Sequence, residues 1–386
     1  MPFSSEKLQE LREQHLYRHR TVIDSPQGVE IRTQGQRFLN FCSNDYLGLA
    51  NHPRLITALQ QGAVQHGVGS GASHLVNGHS HIHHRLEEEL ADFVGCEAAL
   101  LFSTGYMANV GTISALLGRH DLILADKLNH ASLIDGGSLS SAKTIRYPHG
   151  DAETAEGMLE RYAMKNRKLM ITDGVFSMDG DFAPLDKLPA IAKKHDGWLM
   201  VDDAHGLGVI GDNGGGVKEY FNLKEGEIDI LVGTLGKAFG TFGAFVAGSR
   251  ELIELLIQFA RTYIYTTALP PSIAAATLES LKIVREEPWR RAKLNGLIAQ
   301  FKQGAEELGL NVLPSESPIQ SIIVGDSKTA LEMSQQLEAK GIFVKAIRPP
   351  TVPPNTARLR ITFSSQHKPI HVTRLLDALA AQNTAS

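Results

Sequence analysis

Lys237 is the residue with the clearest chemical potential in this sequence, and it stands in the segment Gly233-Thr234-Leu235-Gly236-Lys237-Ala238-Phe239-Gly240. The segment follows the largely apolar run Ile228–Val232, which predicts a buried strand. A lysine is costly to bury unless it is paired or used chemically. A phosphate-binding loop is excluded, because it requires glycine where Leu231 stands and serine or threonine where Ala238 stands.

Two interpretations of Lys237 remain. The first is an ordinary lysine at a strand end with its ammonium group in solvent, which describes most lysines. The second is a lysine that forms a Schiff base with a carbonyl cofactor, most commonly pyridoxal 5′-phosphate (PLP), whose flat ring could approach the flanking glycines closely. The second interpretation predicts a carboxylate for the pyridine nitrogen, donors for the phosphate and a flat side chain over the ring.

Asp202 is the predicted carboxylate. It ends the apolar run Trp198–Val201 and opens Asp202-Asp203-Ala204-His205-Gly206, 35 residues before Lys237. An ionised aspartate at this place is costly without a cationic partner, and a pyridinium nitrogen is such a partner. The alternative is an aspartate that caps a helix or a turn. Because a candidate Schiff-base lysine is present, we favour the cofactor interpretation.

A literal dinucleotide fingerprint, Gly206-Leu207-Gly208-Val209-Ile210-Gly211, also follows this strand. The fingerprint requires a helix that begins at its last glycine, because the pyrophosphate rests on that helix N-terminus. The chain continues instead with Asp212-Asn213-Gly214-Gly215-Gly216, which opposes helix formation. A nicotinamide-dependent dehydrogenase is therefore only a remote alternative.

Further candidates come directly after predicted strands, where ligands bind in open α/β sheets. The segment Ser103-Thr104-Gly105-Tyr106 opens a helix whose free N–H groups could bind a phosphate. His130 could stack on a ring, although alone it would be interpreted as a capping or core histidine. Segment 173–180 contains Ser177, and its glycines indicate a loop that faces the same crevice.

A histidine cluster near residue 80 has no recognised metal-ligand spacing, so we expect a solvated helix start and no metal site there. Its members are His79, His81, His83 and His84.

Composition limits the class of protein. The chain has 386 residues, of which 42% are hydrophobic and 21% charged, and its net charge is −4. These values are ordinary for a soluble protein, and no basic tract indicates a nucleic-acid partner. No apolar run approaches the roughly 20 residues that span a bilayer. With only Cys42 and Cys96 and an acidic N-terminus unlike a signal peptide, we expect a reducing cytoplasmic location.

Short apolar strands alternate with helix-length segments from residue 98 to residue 247, which predicts an α/β fold with a mostly parallel sheet. Pro270-Pro271 interrupts this pattern, and a long helical stretch to about residue 308 follows, with an interruption near Pro288. We expect an N-terminal arm at 1–40, with a helix over Glu6–His19, a large domain at 41–271 and a smaller C-terminal α/β domain at 272–386. In the smaller domain we expect strands at Ile319–Val324, Ile342–Ala346 and Arg358–Phe363, and helices at Lys328–Lys340 and Pro369–Ala381.

Three segments together resemble the α-oxoamine synthases: Ser103–Tyr106, Asp202–Gly206 and Thr234–Gly240. The resemblance extends from about Arg18 to His367, with the motifs in order and at suitable spacing. It implies a PLP-dependent transferase of fold type I, with a mostly parallel sheet of the seven-stranded type in the large domain. Two departures are Asp173, where relatives often have glutamate, and the variable Ala72-Ser73-His74.

Two segments, Asn40–Leu49 and Ala346–Pro353, are most similar to the biotin-pathway branch of this family. That branch condenses L-alanine with a pimeloyl thioester and releases CO2 and the thiol carrier. The carrier, coenzyme A or acyl carrier protein, is left open. The alternative is another α-oxoamine synthase, such as a 2-amino-3-ketobutyrate CoA ligase or a 5-aminolevulinate synthase.

The resemblance also implies residue roles. Lys237 would bind PLP and move the substrate Cα proton, Asp202 would pair with the pyridinium, His205 would bind the phenolic oxygen and His130 would stack on the ring. Other residues would seat the cofactor, chiefly at its phosphate or beside it: Gly105, Tyr106, Ser177 and Thr234.

Thr266 resembles a position that reaches the phosphate of a partner subunit, so the resemblance implies a homodimer with shared active sites. Arg348 and Arg360 are candidates for the amino-acid carboxylate, because a guanidinium matches a carboxylate in two-pronged geometry. Further substrate contacts are expected from Arg18, Asn44 and Thr351, and His130 is also expected to face the substrate.

Overall fold

The computed structural model describes residues 5–383. The helices, in chain order, are α1 Ser5–Glu13, α2 Pro53–His66, α3 His81–Val94, α4 Gly105–Leu116, α5 Ala131–Leu139, α6 Ala152–Arg161, α7 Leu188–Lys194, α8 Gly216–Tyr220, α9 Arg250–Phe259, α10 Arg261–Ile264, α11 Pro271–Glu286, α12 Trp289–Glu307, α13 Ser327–Ala339 and α14 Pro369–Asn383. A single π-helical turn, His74–Gly78, precedes α3.

The strands are β1 Glu30–Thr33, β2 Gln36–Asn40, β3 Ala98–Phe102, β4 Leu122–Asp126, β5 Lys143–Tyr147, β6 Lys168–Asp173, β7 Trp198–Asp202, β8 Ile230–Thr234, β9 Ala244–Gly248, β10 Ile319–Gly325, β11 Ile342–Phe343, β12 Ala346–Ile347 and β13 Ala357–Thr362.

The chain divides into two compact units, described separately here. The larger consists of Leu49–Ser177 and Asp181–Arg291, and the smaller contains Met178–Gly180 with the described parts of Met1–Gly48 and Ala292–Ser386. The sequence-based division at 271 and 272 assigned α11 to the C-terminal domain, whereas the compact units place α11 in the larger one.

A seven-stranded sheet with the order β3-β9-β8-β7-β6-β4-β5 forms the centre of the larger unit. Strands β8, β7, β6, β4 and β5 pair in parallel, and β9 is antiparallel to both of its neighbours. Every residue of β4, β6 and β9 is buried, as expected when helices cover both faces of a sheet. The predicted mostly parallel sheet is confirmed.

The parallel arrangement explains where polar side chains gather. Strands β4, β6, β7 and β8 end in Asp126, Asp173, Asp202 and Thr234. Because these strands run in the same direction, their carboxyl ends lie along one edge of the sheet.

The smaller unit contains two three-stranded sheets, ordered β1-β2-β11 and β10-β13-β12. Helix α13 packs against β10, β12 and β13. Phe41, Phe301 and Phe363 are fully buried, and the Phe301 and Phe363 ring centroids are 5.3 Å apart. This aromatic group forms part of the core of the unit.

Several sequence-based boundaries need correction. The predicted N-terminal helix over Glu6–His19 ends at Glu13, and the predicted strand Ile342–Ala346 divides into β11 and β12. The strand before Lys237 lies two residues later than predicted. The interruption near Pro288 is confirmed, because α11 ends at Glu286 and α12 begins at Trp289. Among residues 5–383, the helices are too short or too polar to span a membrane.

Candidate active site

A cavity of about 180 Å³ lies at the carboxyl edge of the large sheet. Its lining combines predicted site residues with three others, Ser132, Asp173 and Ala204, and the predicted ones are Gly105, Tyr106, His130, Ser177, Asp202, His205, Thr234 and Lys237. Residues from distant parts of the sequence thus meet in one place within the larger unit.

Lys237 lies in a tight connection between β8 and β9. The Leu235 N–H donates to the Gly243 carbonyl at 2.8 Å, and the Gly240 N–H donates to the Lys237 carbonyl at 2.9 Å. Gly240 has a φ of +66°, and a Cβ there would lie 2.5 Å from the Ala50 nitrogen. Only glycine accommodates this turn without strain, and the turn fixes the position of Lys237.

Lys237 and His205 are direct neighbours, because Lys237 Nζ lies 2.7 Å from His205 Nε2. His205 is buried, and Lys237 is partly buried. This contact brings two predicted catalytic residues together across the ends of β7 and β8.

Neutral donors hold the buried Asp202 carboxylate. The Asn109 amide donates to Asp202 Oδ2 at 2.6 Å, and the Ala204 N–H donates to Asp202 Oδ1 at 3.0 Å. Asn109 is completely buried on α4 and also donates to the Ser132 hydroxyl at 2.8 Å. A buried carboxylate with neutral partners fits a site that receives a cationic group.

His130 caps the N-terminus of α5, where its Nδ1 accepts from the Ser132 N–H. Its own N–H donates to Asp173 Oδ2 at 2.7 Å, which fixes the backbone on which the ring is mounted. The ring keeps exposed surface where it lines the cavity. Desolvation nevertheless lowers the pKa of His130, although the nearby Asp202 opposes this shift. A neutral ring suits a stacking role.

Asp173 is the register partner of Asp202 on the adjacent strand and is almost completely buried. Burial raises the pKa of Asp173 well above its usual value, and the neighbouring Asp202 raises it further. Burial and Asp202 thus both disfavour a charge on Asp173, whose carboxyl group accepts the His130 N–H.

The segment after Asp202 folds into turns rather than a dinucleotide-binding helix. Gly211 has a φ of +85°, and the next helix, α8, begins only at Gly216. The buried Asp203 carboxylate accepts the Val217 N–H at 2.8 Å, and a Cβ on Gly216 would lie 1.8 Å from Asp203 Oδ2. The fingerprint at 206–211 lacks its helix, as the sequence predicted.

The N-terminus of α4 borders the cavity and offers free N–H groups. Thr104 caps the helix through its side chain, which accepts the Met107 N–H at 3.1 Å. Space is open beside Gly105, and the Tyr106 hydroxyl donates to Asp135. The helix N-terminus gives this end of the cavity donors for a phosphate. Thr234 also lines the cavity, and its hydroxyl donates to the Gly243 carbonyl at 3.2 Å.

Thr266 does not line this cavity. It is partly buried in the connection between α10 and α11, where Thr267 forms an isolated bridge with Ser73. The implied contact with a partner subunit stays a prediction.

Apart from His130, the predicted substrate residues lie in the smaller unit and form two groups. Both Arg360 Nη atoms donate to Asn44 Oδ1 at 3.2 Å. Arg18 Nη2 donates to Thr351 Oγ1 at 3.2 Å, and Arg348 donates to the carbonyls of His15 and Tyr17.

Arg348 has features of an anion-binding residue. Burial lowers the pKa of its guanidinium, and the charge of Arg18 lowers it further. Its buried Nε has no hydrogen-bond partner among the described residues. A carboxylate would satisfy this donor and relieve the repulsion between the two arginines.

Sequence reasoning missed Asn109, although a signal was present. Helix α4 is otherwise strongly apolar, with the sequence GYMANVGTISAL. A lone amide in such a helix needs a buried polar partner. The identity of that partner, Asp202, could not be obtained from the spacing, because 93 residues separate them.

A family model for class I and II aminotransferases matches residues 36–379. The chain belongs to this family, and it is a PLP-dependent enzyme of fold type I. Its curated relatives include an 8-amino-7-oxononanoate synthase from Stutzerimonas stutzeri, which is 58% identical over 369 residues and covers 96% of this chain and 94% of the relative.

Two solved structures of PLP-fold relatives match this chain over most of its length. A serine palmitoyltransferase variant from S. paucimobilis with a bound PLP–myriocin aldimine has a TM-score of 0.93 at 32% identity, covering 98% of this chain and 96% of that chain. An 8-amino-7-oxononanoate synthase from Francisella tularensis has a TM-score of 0.79 at 36% identity, covering 90% and 98%. The fold class and the α-oxoamine synthase resemblance inferred from the sequence are confirmed.

Proposed function

We propose that this protein catalyses the decarboxylative condensation of L-alanine with a pimeloyl thioester, which yields 8-amino-7-oxononanoate, CO2 and the free thiol carrier in biotin biosynthesis. The observation that carries the proposal is the cavity in which Lys237, His205 and Asp202 meet. The name of a 58% identical relative, 8-amino-7-oxononanoate synthase, supports the choice of reaction.

The residues of the cavity fit PLP at each of its functional groups. Lys237 would bind the cofactor carbonyl, Asp202 would pair with the ring nitrogen and His205 would contact the phenolic oxygen. His130 would cover the ring face. The free N–H groups at the start of α4, with Thr234, would hold the phosphate. Ser177 lines the same cavity and would lie beside the ring.

The bound cofactor supplies an electron sink for negative charge that develops at the substrate Cα. The chain supplies a base at the right place, because Lys237 Nζ would be released when alanine enters and could take the Cα proton. His205 is positioned to hold Lys237 at 2.7 Å and to order its amine for that transfer. Asp202 would keep the ring nitrogen protonated through its negative charge.

The smaller unit offers two cationic groups for the anionic ends of the substrates. We assign the alanine carboxylate to the pair Arg360 and Asn44, because two guanidinium nitrogens already converge on one oxygen there. Arg348, Arg18 and Thr351 form a second group with an unsatisfied buried donor at Arg348 Nε. We assign further substrate contacts to this group.

The test is spectroscopic and then enzymatic. The purified protein should be yellow, and borohydride should remove the visible absorbance and attach the label to Lys237. L-alanine with pimeloyl-CoA, or with the pimeloyl carrier protein, should then release thiol with a higher kcat/KM than glycine with acetyl-CoA or succinyl-CoA.

Two outcomes would contradict different parts of the proposal. A colourless protein that does not take up PLP would remove the cofactor assignment, and a label on another lysine would remove Lys237. Faster turnover of glycine with the shorter thioesters would leave the fold and cofactor intact but would assign the protein to a sister synthase. A pocket discriminates a single methyl group by only about 1–3 kcal/mol, so the acyl group is the sharper criterion.

We also propose a homodimer with shared active sites that acts in the cytoplasm. Large apolar side chains are exposed next to Thr266: Val76 is 77% and Tyr265 is 70% exposed. The two segments are adjacent, because the Ala268 N–H donates to the Ala72 carbonyl at 2.9 Å. Such a patch is typical of an interface. Light scattering should give twice the 42.0 kDa chain mass, and a monomer would refute the shared site.

A further inference from the structure

A group of metal-ligating side chains lies at the start of α3, outside the candidate active site. His79, His84 and Glu87 each offer one ligand atom, and these three atoms lie within 4.8 Å of one another. We propose that they bind a divalent transition-metal ion of the zinc type. The sequence-based expectation of no metal site considered the histidines alone and did not include Glu87.

The local fold brings these residues together. The π-helical turn His74–Gly78 returns the chain to α3, and Gly78 is required there because a Cβ would lie 2.1 Å from the Ala72 carbonyl oxygen. His84 and Glu87 are three residues apart and therefore share a face of α3. His79 comes immediately before Ser80, the residue that caps α3.

His79 has the hydrogen bond expected of a ligating histidine. Its Nδ1 lies 2.9 Å from His74 Nδ1, so one of these two nitrogens carries a proton. When His79 donates from Nδ1, its Nε2 lone pair is free to bind a metal, as in many zinc sites.

Glu87 supplies the carboxylate. It is only 9% exposed, and its Oε1 accepts the Leu101 N–H at 2.9 Å. Its Oε2 faces His79 Nε2 at 3.9 Å, which is too long for a hydrogen bond. A carboxylate oxygen and an imidazole lone pair that face each other across this gap are both satisfied by a cation between them.

The distances suit a tetrahedral ion after small side-chain rotations. Two ligand atoms at 2.0–2.2 Å from a tetrahedral zinc lie about 3.4 Å apart. The 3.9 Å separation of His79 and Glu87 is close to this value, and the exposed His84 side chain is able to move the remaining distance. Two histidines and one glutamate form a donor set used by zinc, with water in the fourth position.

An ion at this place would attach the His74–Gly78 turn to α3. The same region is already connected to the chain before α11, because Ser70 Oγ donates to the Leu269 carbonyl and His83 Nε2 lies 2.6 Å from it. We expect the bound metal to stabilise this corner of the larger unit and to raise its unfolding temperature.

The experiment uses the holoenzyme, prepared without a histidine tag and titrated with Co²⁺. We expect one equivalent per chain and the visible bands of a tetrahedral N2O site, which Zn²⁺ then abolishes by displacement. His84→Gln and Glu87→Gln should each weaken Co²⁺ binding at least tenfold and remove these bands. Glutamine at 87 can still accept the Leu101 N–H, which limits any loss of folding. His81→Gln, an exposed neighbour on α3, is the matched control and should bind as the parent does.

The Co²⁺ affinities and spectra of the two ligand variants test the proposed metal site. The proposal is overturned when the parent binds no Co²⁺, or when His84→Gln and Glu87→Gln bind it with the parent's affinity and spectrum. A second measurement does not depend on colour: Zn²⁺ should raise the melting temperature of the parent and of His81→Gln but not that of His84→Gln. An equal rise in all three proteins would also overturn it.

Discussion

Replacing Asn109 by alanine tests how the fold holds Asp202 for its proposed role. The Asn109 amide donates to Asp202 Oδ2 at 2.6 Å, and its other donor contact is the Ser132 hydroxyl. Alanine removes both contacts and leaves the carboxylate with the Ala204 N–H. We expect weaker PLP binding and slower removal of the alanine Cα proton.

The magnitude follows from the type of hydrogen bond. A hydrogen bond to a charged group contributes about 1.5–3 kcal/mol, and about 1.4 kcal/mol corresponds to a factor of ten. Asn109→Ala should therefore slow Cα proton exchange by roughly 10- to 100-fold. Asn109→Asp should also slow exchange, because two buried carboxyl groups 2.6 Å apart share a proton, which weakens the negative charge of Asp202.

The assay is hydrogen–deuterium exchange at the alanine Cα in the PLP-saturated variants, with the PLP dissociation constant measured separately. Thr112→Ala is the matched control, because Thr112 is a buried polar residue on the same helix and does not line the cavity. Its exchange rate should stay within about twofold of the parent. Equal exchange rates for Asn109→Ala and Thr112→Ala would refute the argument that Asn109 supports Asp202.

Two further predictions concern buried charges in the larger unit. Burial alone would lower the pKa of His149, but its contacts with Asp126 at 3.0 Å and Asp181 at 2.8 Å raise it to about 10 from the ordinary 6.5. The protonated ring therefore stabilises the fold fully below about pH 6.5, and this contribution is lost as the pH rises toward 10. In urea unfolding, the stability difference between the parent and His149→Gln should shrink over this range, and a difference that grows with pH would contradict the assignment. Asp173→Asn should keep activity within a few-fold, because its amide oxygen still accepts the His130 N–H and it removes a charge that burial disfavours. Asp173→Ala should lose about 1–3 kcal/mol of stability in thermal or urea unfolding. Equal stability of the two Asp173 variants would contradict this account.

The catalytic side of the site could be predicted from the sequence because each residue follows an apolar strand. The rule that ligands bind at the carboxyl ends of parallel strands selects Asp202 and Lys237 without knowledge of their distance. Their meeting through His205 follows from β7 and β8 being neighbours in the sheet. The order of strands itself is not contained in the periodicity of the sequence, and only the structure gives it.

The parts that could not be predicted depend on contacts between distant segments or on backbone geometry. The antiparallel strand β9 inside an otherwise parallel run has the same apolar sequence character as its neighbours. The division of the predicted strand at Ile342–Ala346 results from pairing, since β11 joins β2 whereas β12 joins β13. Local patterning does not distinguish these partners.

Three aspartates end β4, β6 and β7 along one edge of the sheet, and each carboxyl group has different surroundings. Asp126 forms an ion pair with the protonated His149, and its carboxylate also accepts the Gly150 N–H at 2.9 Å. The pKa of Asp173 is raised by burial and by the neighbouring Asp202, so its surroundings disfavour a charge there. Three adjacent buried carboxylates could not all keep their negative charge without cationic partners.

Asp202 differs from Asp126 because its hydrogen-bond partners are neutral, the Asn109 amide and the Ala204 N–H. The Asn109 amide is completely buried, so it holds Asp202 from behind the cavity lining. A buried carboxylate held in this way gains the most from a cation that arrives from outside the chain. The protonated ring nitrogen of PLP meets that requirement. Because Asp126 already pairs with His149 and burial disfavours a charge on Asp173, we expect this nitrogen to pair with Asp202.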